Sequence, residues 1–402
     1  VPGFLIGRQP IFTPRLKVFG YELRGQPSSP DGNNHNGKEE TSNLFYKALS
    51  DIGLNILVNE KWAFLHFTRA YLTGDFSLHF SPTRMIVETD PDPLAEEELG
   101  KALSDLEAAG YQIVLENVTL LEAVDPFIRD GRIIKIDISN LVRPEIAWLS
   151  TRFKNREVRI MACGVKTMED FEFCSRLGFH FFQGRFLYLP HFTGSGAVDS
   201  SRVTVLRALA VSADENSDFS QLEKIISQDN NITYRLLRLV NSVYYGSNET
   251  VKSLQQAIPM IGREQLRGWI TLILMSTVAD KPVELTSTAV IRAKMCELLA
   301  KDLGQENVEE FFLIGLLSIV DALMDLSMED VITKLSLSDE LMDGLLHQKG
   351  VLGEVLRIVQ LYEQGDWERV RALCGELNPE AVCQAYIESI RWSIGILSSV
   401  KG

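Results

Sequence analysis

The sequence predicts an α/β barrel followed by an all-α domain. Three observations carry that prediction. Short apolar runs, such as Ile133–Ile136, Val158–Met161 and Phe179–Phe182, each end on polar or small residues. Helix-like segments separate the runs, which is the rhythm of parallel strands with crossover helices. From Val203 to Val400 the pattern changes, and helical periodicity dominates with few strand signals. Repeated βα units over the first half favour a barrel over an open sheet, although periodicity alone leaves a doubly wound sheet open.

Length and composition agree with two folded domains. The chain has 402 residues, 45% hydrophobic and 23% charged, enough for two ordinary cores. Its formal net charge of −14 disfavours general nucleic-acid or anionic-membrane binding. No apolar run is long enough to span a bilayer, and Val1–Arg24 lacks a basic stretch followed by an apolar core, so no signal peptide is expected. The five cysteines, Cys163, Cys174, Cys296, Cys374 and Cys383, are scattered and form no Cys-x-x-Cys pair. They read as free, mostly buried thiols of a reducing cytoplasm, and zinc held on cysteine pairs is not expected.

Two β-like runs in Phe4–Arg24 flank a turn at Thr13-Pro14-Arg15, and Gln26–Lys38, rich in Pro, Ser, Gly and Asn, reads as a flexible surface loop. Thr41–Ile52 has helical spacing with Thr41 or Ser42 as cap. Strands are expected at Ala63–Phe67, Met85–Glu88, Tyr111–Glu116, Ile133–Asp137, Val158–Ala162 and Phe179–Phe182. The intervening helices are expected at Leu94–Ala109, with acids at its start as the helix dipole favours, and at Leu120–Ile128, Glu145–Lys154 and Met168–Leu177. His191–Ser201, small and polar, marks a linker between domains at 1–190 and 202–402. Beyond it, helices are expected at Phe219–Ile226, Ile232–Asn241, Gln265–Val278 (a central buried one), Ile291–Leu299, Glu309–Leu326, Met328–Leu335, Glu340–His347, Gly353–Gln364, Trp367–Leu373 and Pro379–Ile396.

Chemistry in a barrel sits at the strand ends. Here those ends offer Lys135 and Asp137, then Cys163 and Lys166, then Gln183. The order Lys-x-Asp, Gly-Val-x-Thr, Gln-Gly and Pro, together with Gly20-Tyr21-Glu22-Leu23, resembles the EAL family of cyclic di-GMP phosphodiesterases over about Phe4–Pro190. The resemblance implies a TIM-like barrel of the EAL type and two divalent cations roughly 3.5–4 Å apart that clamp a phosphodiester. It matches Glu22 and Glu88 to metal ligands, retains Lys135, Asp137 and Gln183, and departs at four places. His66 stands where the family has asparagine, Glu116-Asn117 where it has paired aspartates, and Cys163 and Lys166 where it has glutamates. Oxygen donors are lost, and the Lys166 ammonium is expected to repel a divalent ion. Arg24, Lys135 and Gln183 keep the chemistry to meet phosphates or guanine edges. Alternatively, Glu22, Glu88, Lys135 and Asp137 form a buried polar network in the barrel mouth.

The segments Tyr234–Ser242, Tyr245-Gly246, Val251–Ile258 and Ile261–Arg267 look like an HDOD domain, an all-helical relative of the HD phosphohydrolases. Phe312–Leu317 matches the helix that carries the His-Asp pair in those enzymes, yet Ser318-Ile319-Val320-Asp321 follows it. His347 is the only histidine after the linker, so an HD metal site cannot be built. Asp321 and His347 are expected at helix surfaces or caps. Asn241, Ser242 and Tyr245 are expected at a helix end before Gly246, and Gly262 in a turn.

The expectation is therefore a cytoplasmic, non-catalytic scaffold or adaptor of the bacterial EAL–HDOD kind, with no cofactor. Other signalling proteins are its expected partners, and membranes and nucleic acids are not. A cyclic di-GMP sensor without hydrolysis and a diverged metal-dependent phosphodiesterase using Glu88, Glu116 and Asp137 remain alternatives. The resemblance also admits a homodimer.

Overall fold

The computed structural model describes residues 3–28, 38–74, 80–91, 96–116, 127–129, 131–154, 156–191, 256, 281–333, 337–375 and 377–401. The expected helices at Leu120–Ile128, Phe219–Ile226, Ile232–Asn241 and Gln265–Val278 lie wholly or mainly outside these residues, as do Asn117, Asn241, Ser242, Tyr245, Gly262 and nearly all of the linker. Two compact units emerge, Val1–Leu187 and Tyr188–Gly402.

The first unit is a closed barrel of eight strands in sequence order: β1 (Phe4–Phe12), β2 (Val18–Pro27), β3 (Trp62–His66), β4 (Met85–Thr89), β5 (Gln112–Leu115), β6 (Ile133–Asp137), β7 (Arg159–Val165) and β8 (Phe181–Gly184). β1 runs antiparallel to both its neighbours, β2 and β8, and the rest are parallel. The turn at Thr13-Pro14-Arg15 explains this, because a tight hairpin reverses the chain where a crossover helix would not. The barrel helices are α1 (Lys38–Ile52), α2 (Leu54–Val58), α3 (Arg69–Thr73), α4 (Glu96–Ala108), α5 (Arg143–Lys154) and α6 (Met168–Arg176). α1 begins at Lys38, so Thr41 and Ser42 lie inside it and do not cap it. The short α2 and α3 carry too few apolar positions to register as helical periodicity. Thr68 and Thr167 cap α3 and α6, their hydroxyls accepting from Tyr71 N and Asp170 N.

Inside the barrel, side chains stack in layers set by the two-residue period of the strands. The floor is Ile11, Phe64, Ile86, Val114, Ile133, Met161 and Phe181, all buried. β2 supplies Gly20 at this level, where an added Cβ would stand 2.5 Å from the Trp62 carbonyl oxygen and 2.7 Å from the Phe64 ring. Phe64 thus fills the space that a side chain on β2 would need.

The second unit, over its described residues, is helical: α7 (Val283–Asp302), α8 (Val308–Leu317), α9 (Val320–Met324), α10 (Met328–Ile332), α11 (Asp339–His347), α12 (Gly350–Gln364), α13 (Trp367–Leu373) and α14 (Pro379–Lys401). α7 is buried along most of its length. Gly315 of α8 packs against it so closely that a Cβ there would lie 2.6 Å from Ala293 Cα. The single helix expected at Glu309–Leu326 is two helices. Buried Arg292 of α7 reaches Ser318, donating from Nη1 to its carbonyl oxygen at 3.2 Å and its hydroxyl at 2.8 Å, and the chain breaks there. The same guanidinium binds Glu363 of α12 at 2.8 Å. No helix of the described residues is long and apolar enough to cross a membrane. None of the five cysteines forms a disulfide; four are buried and Cys163 is half-buried.

Phe64→Ala is expected to empty the barrel floor and cost about 3–5 kcal/mol. A fall in the denaturant midpoint of barrel unfolding checks it.

Candidate functional site

Two residues beyond the floor, each parallel strand presents its next inward position. Those positions are Glu22, His66, Glu88, Glu116, Lys135, Cys163 and Gln183, with Gln9 on the antiparallel β1 opposite Glu22. The pleat that buries one apolar layer thus places seven sequence-predicted residues in one polar layer at the barrel mouth.

Lys135 is its centre. Only 3% of its side chain is exposed, and Nζ donates to Glu22 Oε2 at 2.8 Å, Glu88 Oε1 at 3.1 Å and Glu116 Oε2 at 3.1 Å. Burial opposes the ammonium charge, but the three carboxylates outweigh it and raise the lysine above its ordinary value. Gln183 Nε2 donates to the same Glu22 oxygen at 2.5 Å, and Arg24 Nε holds Glu22 Oε1 at 2.5 Å. Burial pushes Glu22 up, yet Lys135 and Arg24 together hold it down at about 2. Glu88 is fully buried and its Oε2 has no hydrogen-bond partner among the described residues. Burial, with Glu22 and Glu116 nearby, pushes Glu88 up to about 8 against the pull of Lys135.

A second cluster sits beside the first. His66 Nε2 lies 3.4 Å from Asp90 Oδ2 and 3.3 Å from Glu116 Oε1. Burial lowers the imidazole, but Asp90 and Glu116 outweigh it and raise it. Asp90 was not among the sequence candidates. Its signal was available: it follows Glu88 by two residues at the end of β4, so strand alternation puts both on the inward face.

The other candidates sit apart. Asp137 is exposed, and its Oδ1 accepts from Ser139 N at 2.9 Å. It turns the chain after β6 and takes no part in the buried network expected of it. Lys166 is exposed as well, donating to the Ser139 carbonyl oxygen at 3.2 Å, so the cation in the mouth is Lys135 and not Lys166. Burial pushes the Cys163 thiol up to about 12. In the helical unit, Asp321 Oδ1 accepts from Ala322 N in the first turn of α9, and His347 is exposed in the last turn of α11.

The donor set fits one divalent ion better than two. His66, Asp90 and Glu116 offer three ligand atoms within 4.8 Å of one another. Around Cys163, Lys166 and Asp137 the described side chains supply a thiol in place of a hard oxygen donor, a cation and an already bonded carboxylate. When bound, a metal ion polarises a phosphoryl oxygen or lowers the pKa of a bound water.

Comparison with known proteins places these features. The HDOD domain family matches residues 200–357. Along nearly its whole length the chain is similar to the cyclic di-GMP phosphodiesterase CdgJ of Vibrio cholerae, at 28% identity over 402 residues, 96% of this chain and 92% of that one. It is similar to YuxH of Bacillus subtilis at 25% identity over 404 residues, 98% of this chain and 99% of the relative. Among solved structures, the Bacillus subtilis YkuI protein with an EAL domain, in complex with cyclic di-GMP and calcium, matches at 16% identity and a TM-score of 0.38, covering 64% of this chain and 73% of that one. Klebsiella pneumoniae BlrP1, in a calcium and cyclic di-GMP complex, matches at 15% identity and a TM-score of 0.39, covering 45% of this chain and 54% of its own.

Two outcomes test the electrostatics. Lys135→Met leaves three carboxylates without their cation and is expected to cost about 3–5 kcal/mol. The loss should be larger at pH 8 than at pH 5 in thermal denaturation, because the acids can take up protons at the lower pH. Folded Glu88 keeps its proton up to about pH 8, whereas the unfolded chain releases it near 4.5, so this residue makes the fold less stable as pH rises through that window. Glu88→Gln, which resembles the protonated form, should raise the melting temperature by an amount that grows from pH 5 to pH 8.

Over nearly its whole length the chain is thus similar to a cyclic di-GMP phosphodiesterase, with a closed barrel that carries its polar layer at the strand ends and a match to the HDOD domain from residue 200.

Proposed function

We propose that the chain is a non-catalytic signal-transduction adaptor of the cytoplasm, derived from cyclic di-GMP phosphodiesterases. One observation carries this reading: the mouth's carboxylates are already neutralised from within. Lys135 takes one oxygen from each of Glu22, Glu88 and Glu116, and Arg24 takes the other oxygen of Glu22. Two-metal hydrolysis needs those oxygens for cations. The positions of the remaining ligands carry Cys163 and Lys166 in their place. In the helical half, Ser318-Ile319-Val320-Asp321 replaces a His-Asp pair. Two folds that host chemistry, both short of the groups for it, leave interaction with other signalling proteins as the role.

A second reading, metal-dependent hydrolysis of a cyclic dinucleotide, is favoured by the likeness to CdgJ and by the clustering of His66, Asp90 and Glu116. Incubation of the purified chain with cyclic di-GMP and either magnesium or manganese separates the two. The adaptor reading expects no turnover above a protein-free blank. Calorimetry on the same sample reports binding: saturable heat without turnover would make the barrel a sensor, with Arg24, Lys135 and Gln183 as its contacts. Turnover abolished by Glu116→Gln would establish the hydrolytic reading instead.

A further inference from the structure

We propose that residues 184–191 form a strap through which the state of the barrel mouth reaches the helical unit, so that a change at Gln183 alters the packing of α7 and α9. The inference goes beyond the adaptor reading and holds whether or not the barrel turns over a substrate.

The first half of the strap is fixed in the barrel. Gln183, near the end of β8, donates to Glu22 Oε2 at 2.5 Å and so belongs to the polar layer. At Gly184 an added Cβ would stand 2.0 Å from the Val165 carbonyl oxygen. Arg185 N donates to that same oxygen at 2.9 Å. Phe186 is fully buried, stacked on Phe171 of α6 with ring centroids 5.0 Å apart and set edge-on to Phe12 at 5.5 Å. Leu187 is buried as well. Backbone bonded and rings interlocked in this way leave no spare length, because successive Cα atoms stay about 3.8 Å apart.

The second half is fixed in the helical unit, which begins at Tyr188. Tyr188 Oη lies 3.5 Å from Thr288 Oγ1 on α7. Thr288 stands about one turn before Arg292, whose guanidinium holds Glu363 and Ser318. Further along, His191 N donates to Asp325 Oδ1 at 2.9 Å, and Lys281 Nζ donates to the same oxygen at 2.5 Å. Asp325 caps the C-terminus of α9 in the left-handed region, with φ at 53°. One carboxylate thus pins the strap to the end of α9.

Only residues 184–187 separate a side chain of the mouth network from one anchored at α7. A displacement of Gln183 is therefore passed along the packed segment rather than absorbed by it. Linkage makes the effect reciprocal: whatever shifts the anchors at Thr288 or Asp325 acts back on the mouth by the same free energy.

Hydrogen–deuterium exchange of the full-length chain, read by mass spectrometry, tests the strap. Gln183→Ala should speed exchange of amides in Val283–Arg292 and Val320–Met324 by about threefold or more. Inserting Gly-Ser-Gly between Leu187 and Tyr188 supplies slack, and in that background Gln183→Ala should leave both segments unchanged. Asp325→Gly suits the left-handed backbone and removes the bonds to His191 and Lys281, so it should cut the response by about half or more. The proposal is overturned if Gln183→Ala leaves both segments at the parent rates. It is overturned equally if the effect persists undiminished in the insertion or in Asp325→Gly, which would make it a general loss of stability. Because no readout is turnover or partner binding, its failure and the failure of the adaptor reading are separable.

Discussion

One ammonium group organises the barrel mouth. Lys135 Nζ meets carboxylates from three other strands, Glu22 of β2, Glu88 of β4 and Glu116 after β5, in a layer almost closed to water. Desolvating any one of these charges alone is costly, and together they are tolerated because each carboxylate has the lysine as partner. The arrangement is still unbalanced: three acids surround one cation. Arg24 relieves Glu22 from outside, and a proton on Glu88 relieves the most deeply buried acid. The result is a pair of carboxylates of the same type held far apart in acidity, one at about 2 and one at about 8, by environment alone.

That balance bears on function through competition. A lysine that fills the space between carboxylates occupies the place in which hard cations would be clamped, so the same residues can serve as an internal salt bridge or as a metal site, but not fully as both. Glu116 shows the division. Its Oε2 belongs to Lys135 and its Oε1 faces His66. One oxygen supports the fold and the other remains at the solvent-facing cluster with Asp90.

In the helical unit the organising contact is also a buried cation. Arg292 of α7 binds Glu363 of α12 and the backbone and hydroxyl of Ser318 at the end of α8. This guanidinium ties three helices together, and burial leaves none of its partners free to be lost cheaply. Gly315, one turn before Ser318, allows α7 and α8 to touch backbone to backbone. A polar anchor and a close glycine contact thus sit side by side at the end of α8.

Much of this architecture was legible in the chain itself. Apolar runs ending on Lys135, Cys163 and Gln183 announced strands and their functional ends, because a strand buried on both faces must be apolar until it reaches the mouth. Motif order identified Glu22, His66, Glu88 and Glu116 as members of one site. The hairpin at Thr13-Pro14-Arg15 was visible, and so was the change to helical periodicity after the linker. Other features depend on groups that meet only when the barrel closes or the helices pack. Asp137 reads as a partner of Lys135 in sequence but turns away to bond Ser139, since it lies two residues further along the strand, beyond the buried layer. Lys166 reads as a cation in the site but ends on the rim. The break at Ser318 has no proline to announce it, and the Arg292 that binds Ser318 is 26 residues away. Asp90 joins His66 and Glu116 only because parallel register brings three strand ends to one side of the mouth. Local pattern determines which residues face inward, since the pleat is a local property. Which inward residues touch is decided by register and closure, which no single stretch of the chain contains.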